Sequence, residues 1–324
     1  MRAGRWLAGA ALVVLLAVAA TAWPLATWAV SLALFGVPHV LVELRWVDER
    51  FARRFGGGTT LAIATGLALI VLVRVLGTAA PFPQSLGLEL VLVAALGAMT
   101  LPLLLALSPL AAAAGTLFVG LVVAGVLRAP LDTLVVLAFV HNLTPVGFLA
   151  ERLSGGERRR ALLACAVVFL GVPVFLASGI PAGLVALAPD AVAPFGVALD
   201  DGVAAFVPKA IGGQRALDLF RAAAFLQCMH HATVLFVLPR LGAGTEGGRV
   251  PWPSRRRFAL GVAAIGAVAL IAFAIAFRDA RIAYGVLAAV HAWVEVPVLL
   301  VALAGWRPTR RLAIPCPTTS NSCS

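Results

Sequence analysis

The stretch 25–44 reads LATWAVSLALFGVPHVLVEL, an apolar run interrupted only by Thr27, Ser31, His39 and Glu43. A helix of about 20 residues at 1.5 Å per residue spans about 30 Å, the thickness of a bilayer's hydrocarbon core. The apolar residues are consecutive, whereas a barrel strand would alternate them with polar ones. The stretch therefore predicts a transmembrane helix. Arg45, Arg50, Arg53 and Arg54 follow it and mark that end as cytoplasmic.

The rest of the chain repeats the pattern. Of 324 residues, 62% are hydrophobic and 12% charged, and the mean hydropathy is +1.03. A soluble domain is about half apolar and about a quarter charged. A compact soluble fold could not bury this much apolar surface, which excludes a soluble enzyme, a disordered chain and a secreted disulfide scaffold. Ten apolar segments are expected, at 6–22, 25–44, 59–80, 86–106, 109–127, 131–150, 161–180, 216–238, 258–277 and 282–305. Pro102 and Pro109 leave 86–127 open to two spans, or one span and a re-entrant piece. The fold class is all-α: a polytopic bundle forming one membrane domain over 1–311, with a polar tail, 312–324, expected to be disordered.

The net charge of +11 comes from 25 basic residues, all arginine except Lys209, against 14 acids. The arginines gather near both termini, at 45–54, at 152–160 and at 240–257. Ten spans with both termini inside place every cluster on the cytoplasmic side of a bacterial inner membrane. The charge is thus a topology signal, and no nucleic-acid partner is expected. The first segment follows Arg2 and Arg5 and reads as an uncleaved span. The long loop 181–214, with Asp190, Asp200, Asp201 and Lys209, reads as a connector, an interfacial helix or a lid. Arg74 and Arg221 read as side chains snorkelling to the outer surface.

Two motifs are coincidental. Leu153-Ser154-Gly155-Gly156-Glu157 resembles an ATPase signature loop, but the chain has no Gly-x-x-x-x-Gly-Lys-Ser/Thr to bind phosphate. Asn142-Leu143-Thr144 fits a glycosylation pattern but lies inside a span. The scattered Cys165, Cys228, Cys316 and Cys323 form no Cys-x-x-Cys.

The informative residues are the five histidines, His39, His141, His230, His231 and His291, all inside expected spans. Ionisable groups are costly in hydrocarbon and mark function there. Glu43 follows His39 by four residues, and Glu295 follows His291 by four, so each pair shares a helix face, although Glu43, beside Arg45, also reads as a group in interfacial water. Gln227 precedes His231 by the same interval, and His141-Asn142 is followed by Pro145, which kinks a helix and frees a carbonyl. Counted from the arginine clusters, the histidines fall at depths that allow convergence in the cytoplasmic half, His291 being the highest. His230 and His231 point about 100° apart, so one of them faces a shared centre.

Neutral imidazoles ligate Fe, Cu or Zn, and carboxylates orient such ligands or bind directly. Three or four histidines with an open position suit non-haem Fe(II). Two facing histidines could instead clamp haem b, Cys228-Met229 adds soft ligands for copper, and a His/Glu chain could serve a proton- or metal-coupled transporter.

Gly36-Val37-Pro38-His39 resembles the G-x-P-H motif of the Brp/Blh family, bacterial membrane β-carotene 15,15′-dioxygenases. The resemblance implies an all-helical fold, a non-haem iron held by histidines from several helices, and a carotenoid substrate. Only His39 carries over by motif. Val40 to Glu43 replace the family's continuation, and Gln227 stands where a paired histidine is expected. The departures bear on the substrate more than on the metal.

The expectation is therefore a membrane-embedded non-haem iron oxygenase. Its substrate is lipophilic, of carotenoid or isoprenoid class, and enters from the surrounding lipids. His39, His141, His231 and His291 are the expected ligands, His230 the exchangeable candidate, and Glu43 and Glu295 the catalytic carboxylates. The oligomeric state is not legible.

Overall fold

Proline and glycine decide where the apolar runs begin, bend and stop in the computed structural model, which describes residues 2–80, 82, 84–184, 192–242 and 247–304, with side chains from Leu7 onward. The helices are α1 (Arg2–Ala22), α2 (Pro24–Phe51), α3 (Gly57–Ala79), α4 (Ser85–Ala98), α5 (Leu101–Leu107), α6 (Pro109–Arg128), α7 (Pro130–His141), α8 (Thr144–Arg152), α9 (Gly155–Ala166), α10 (Val172–Ala177), α11 (Ile180–Leu184), α12 (Leu199–Phe206), α13 (Gly213–Ala232), α14 (Leu238–Leu241), α15 (Arg255–Ile275) and α16 (Phe277–Ala304). No strand occurs among the described residues. Pro24, Pro109 and Pro130 each stand in the first turn of a helix, where the missing N–H has no partner to lose.

Among the described residues, nine helical stretches are long and apolar enough to cross a membrane. The expected first span falls on α1, whose described apolar part, Leu7–Ala22, is shorter. The region 86–127 holds two stretches long and apolar enough to cross, Ser85–Leu107 and Pro109–Arg128, the first with a break after Ala98. The tail 312–324 and Asp190 lie outside the described residues. Loop 181–214 is more than a connector: α12 packs against α13, α7 and α2.

Prolines also shape the span interiors. α9 and α10 are joined by a π-helical stretch, Val167–Gly171, and α13 and α14 by another, Thr233–Val237. Each stretch ends two residues before a proline, Pro173 or Pro239. A proline ring collides with the carbonyl four residues back and offers it no N–H, so widening that turn relieves both problems. α2 and α16 instead carry Pro38 and Pro297 inside continuous helices.

The basic clusters meet at one end of the bundle. Arg50 donates to both carboxylate oxygens of Glu151 (3.1 and 2.7 Å) and Arg54 to one (2.9 Å), joining α2 to α8. Arg152 donates to the carbonyls of Leu241 and Gly242. Asp48 accepts from Arg249 N, Val250 N and Trp252 Nε1. Since α2, α7–α8, α13 and α16 each run toward this basic end, the four helices that carry the histidines are parallel to one another.

Close backbone approach at two glycines brings these helices together. A Cβ on Gly36 would stand 3.1 Å from the Tyr284 ring, and one on Gly266 would stand 2.8 Å from Cγ of Pro38. α2 can therefore lie against both α16 and α15 only because neither position carries a side chain.

Candidate metal centre

α2, α7, α13 and α16 each send one imidazole to a common point. One ring nitrogen from each of His39, His141, His230 and His291 lies within 4.8 Å of the others. His39 Nε2 and His291 Nε2 are 3.2 Å apart. His39, His230 and His291 are 1–2% exposed.

Local structure fixes these rings. His39 Nδ1 donates to the Phe35 carbonyl at 3.0 Å, which leaves Nε2 as the lone-pair nitrogen facing the group. His141 ends α7. Beyond it the chain tightens: Asn142 N donates to Phe139 O and Leu143 N to Val140 O. The Asn142 side chain covers the freed Ala138 carbonyl at 3.0 Å. Pro145, at the second position of α8, has no N–H to offer His141 O, so the expected kink is a clean break between α7 and α8. That break lets His141 Nδ1 reach Glu295 Oε2 at 2.8 Å. A carboxylate holding Nδ1–H fixes the tautomer and makes Nε2 a better ligand.

The adjacent histidines exchange the parts expected of them. His230 belongs to the four-nitrogen group, whereas His231 turns its Nδ1 to Ser31 Oγ at 2.9 Å and stacks beside His39, with ring centroids 4.2 Å apart. The 100° step along α13 separates them as expected, but Ser31 selects which one turns aside. Gln227 joins that outer group, donating to Trp28 O and Ser31 Oγ. Cys228 Sγ lies 3.8 Å from the Thr27 carbonyl, and Cys228 and Met229 are buried as packing.

One helical turn closer to the basic end lies a second layer. Glu43 and Glu295 are each 1% exposed, and Glu43, His291 and Glu295 form a further group with donor atoms within 4.8 Å. Glu43 Oε2 approaches His230 Nε2 at 3.5 Å and His291 Nε2 at 3.8 Å, too far for hydrogen bonds. Glu43 is therefore a buried carboxylate turned inward, not a group in interfacial water beside Arg45. Both Glu43 oxygens, both His230 ring nitrogens and Glu295 Oε1 are buried without a hydrogen-bond partner. Orphaned acceptors of this kind cost about 1–3 kcal/mol each, more when charged, unless something else binds them.

The donor set fits a first-row divalent ion. Two nitrogens at about 2.0–2.1 Å from one ion stand about 2.9–3.4 Å apart at angles of 90–110°, which brackets the 3.2 Å between His39 and His291. All the nitrogens lie within 4.8 Å of one another, so the widest pair needs to contract by at most about 1.4 Å to enter that range. Two carboxylates lie beneath the four imidazoles, and in their ionised form they would balance a 2+ charge.

All five histidines line the end of a cavity of about 1160 Å³ that runs toward the end of the bundle opposite the basic clusters. Its walls include Leu32, Val73, Val135, Ala288 and Trp293. Leu131 and Ile282 line it and are also 38% and 42% exposed, so it reaches the surface, where Thr78, Ser85, Asp201, Arg278, Asp279 and Arg281 line it as well. Arg74 lines it too, and does not snorkel: its guanidinium is clamped to Glu89 and to the Gly285 carbonyl. Arg221 is likewise buried, 2.6 Å from Asp218 and donating to the Thr21 carbonyl. Glu89, Ser31 and the Phe35 carbonyl are the site elements that sequence reasoning missed. Only Glu89, an acid in an apolar run, carried a visible signal.

Comparisons with protein-family models, with curated proteins and with solved structures give no match for this chain.

Proposed function

We propose that the chain is a membrane-embedded non-haem iron oxygenase that acts on a lipophilic molecule. The observation that carries this reading is the convergence of four imidazoles, from four parallel helices, at the inner end of a large cavity that reaches the surface of the bundle. His39, His141, His230 and His291 would hold the ion, and Glu295 would orient His141. Glu43 and Glu295 would neutralise the 2+ charge, which favours Fe(II) or Zn over Cu(I). Haem b fits less well: ring centroids of the four histidines stand 4.7–6.3 Å apart, so the second pair of rings fills the plane a porphyrin would need.

Bound Fe(II) supplies the redox chemistry that makes O₂ reactive toward an apolar molecule. The chain's own residues do the rest. The four donors come from four different helices, α2, α7, α13 and α16, and so hold the coordination shape fixed. The apolar part of the cavity wall, with Leu32, Val73, Val135 and Ala288, would hold an extended substrate along its length. Leu131 and Ile282 line the side by which a molecule dissolved in the bilayer would enter. The G-x-P-H resemblance agrees with this chemistry and makes carotenoids the first compounds to try, with other isoprenoids next.

The test is anaerobic loading with Fe(II), followed by exposure to O₂ and a carotenoid or isoprenoid panel, with oxygen uptake and products followed by mass spectrometry. Oxygenated product that disappears in His39→Ala and His230→Ala supports the reading. Metal or proton flux into liposomes with no product would replace it with a transporter.

A further inference from the structure

About 9 Å along α16 from His291, taking six residues at 1.5 Å, the cavity wall changes character. Arg74 of α3 donates Nε–H to both oxygens of Glu89 (2.9 Å each) and Nη2–H to Oε1 at 2.7 Å. Its Nη1–H goes to the Gly285 carbonyl at 2.7 Å. Trp293 Nε1–H donates to the same Glu89 Oε1 at 2.8 Å. The side chains are 24% and 6% exposed, and both residues line the cavity.

An ion pair buried in a bundle rarely stabilises it more than an apolar pair of the same size would. Inside a membrane such a pair marks a ligand or transport pathway. The geometry adds what the ligand is. Of the guanidinium's five N–H groups, three are engaged among the described residues, which leaves two donors on a group held rigidly from both sides. Glu89 Oε2 receives only the shared Nε–H and retains acceptor capacity. The pair is neutral overall, so an anion bound there would leave an uncompensated charge in a low-dielectric wall.

We infer that Arg74 and Glu89 form a binding subsite for a neutral hydroxyl group on the substrate. The hydroxyl oxygen accepts from Arg74 and its proton is donated to Glu89 Oε2. This deepens the oxygenase reading and rests on it for the word substrate: the molecule is an amphiphilic, alcohol-bearing lipid whose apolar body runs from this clamp along the cavity past the histidines. Val73, Val135, Ala288 and Ala289, which also line the cavity, suit that body.

The test is native mass spectrometry of the intact protein in detergent, offered geranylgeraniol, the hydrocarbon of the same skeleton and geranylgeranoic acid in competition. Hydrogen bonds to charged groups predict that the alcohol binds at least about tenfold more tightly than the hydrocarbon. Replacing the pair together, Arg74→Met with Glu89→Leu, keeps the volume apolar and the wall neutral. It should reduce the preference to near unity while metal content stays at the wild-type value. A hydrocarbon that binds as well as the alcohol overturns the inference, as does a preference that survives in the double variant, or tighter binding of the acid. The readout needs no turnover. An alcohol preference in a protein that holds no metal would uphold the subsite and sink the oxygenase. A loaded metal without the preference would do the reverse.

Discussion

Replacing Glu295 separates a metal-supporting carboxylate from one that merely packs. In Glu295→Gln the side chain keeps its size, and its amide oxygen can still accept from His141 Nδ1 across the present 2.8 Å. What is lost is charge. A hydrogen bond to a charged group contributes about 1.5–3 kcal/mol and a neutral one about 0.5–1.5, a difference of about 1–1.5 kcal/mol. Loss of the carboxylate also leaves the ion less well neutralised, since Glu43 alone would face it. Both effects weaken binding, and outer-shell changes of this kind reduce metal affinity about 10–100-fold. Glu295→Ala goes further, leaving His141 Nδ1 unpartnered and the ring free to turn, and should fall at or beyond the upper end. The assay is competitive titration of Fe(II), or Zn(II) as a redox-inert stand-in, against a chelator of known affinity. Thermal unfolding of the metal-free protein is followed alongside, to show that the bundle is intact. Affinity within twofold of wild type in both variants, with unchanged folding, would refute the role given to Glu295.

The neighbouring histidines give a sharper contrast: His230→Ala should abolish stoichiometric metal, whereas His231→Ala, which loses the Ser31 contact and the stacking beside His39, should retain it with a several-fold weaker affinity, both read by metal analysis. Metal should be released as pH falls, because protons compete for imidazole nitrogens that must be neutral to bind, and dialysis at stepped pH would show retention at neutrality and loss in acid. Gly266→Ala should destabilise the bundle by about 1–3 kcal/mol, because the new methyl meets the rigid Pro38 ring, and a melt in detergent would read it. Glu151→Gln, which weakens a partly buried network with Arg50 and Arg54, should cost about 1–3 kcal/mol, read by the same melt.

Much of this was legible because membrane solvation writes itself into sequence. The 25–44 run, the arginines after it and the prolines at helix starts each report a local constraint, and local constraints survive in one dimension. The two H-x-x-x-E pairs were legible for the same reason, since a helix turn fixes their shared face. What was not legible depends on rotation and on distant partners. One residue decides between His230 and His231, and the deciding group, Ser31, lies 200 residues away. Arg74 looked like a side chain reaching for the surface because Glu89 belongs to the next span, across a turn, and Gly285 to the last one. Glu43 looked interfacial from its closeness to Arg45. The helix instead turns Glu43 inward and leaves Arg45 paired with Glu49 at 2.7 Å.

The central claim is that four histidines from four helices hold one metal ion. It is tested most directly by elemental analysis and the absorption spectrum of the detergent-purified protein, wild type beside His39→Ala and His230→Ala. About one iron per chain with no Soret band, lost in both variants, is the result this account predicts. A chain that stays metal-free after anaerobic reconstitution with Fe(II), or that carries a Soret band, would contradict it.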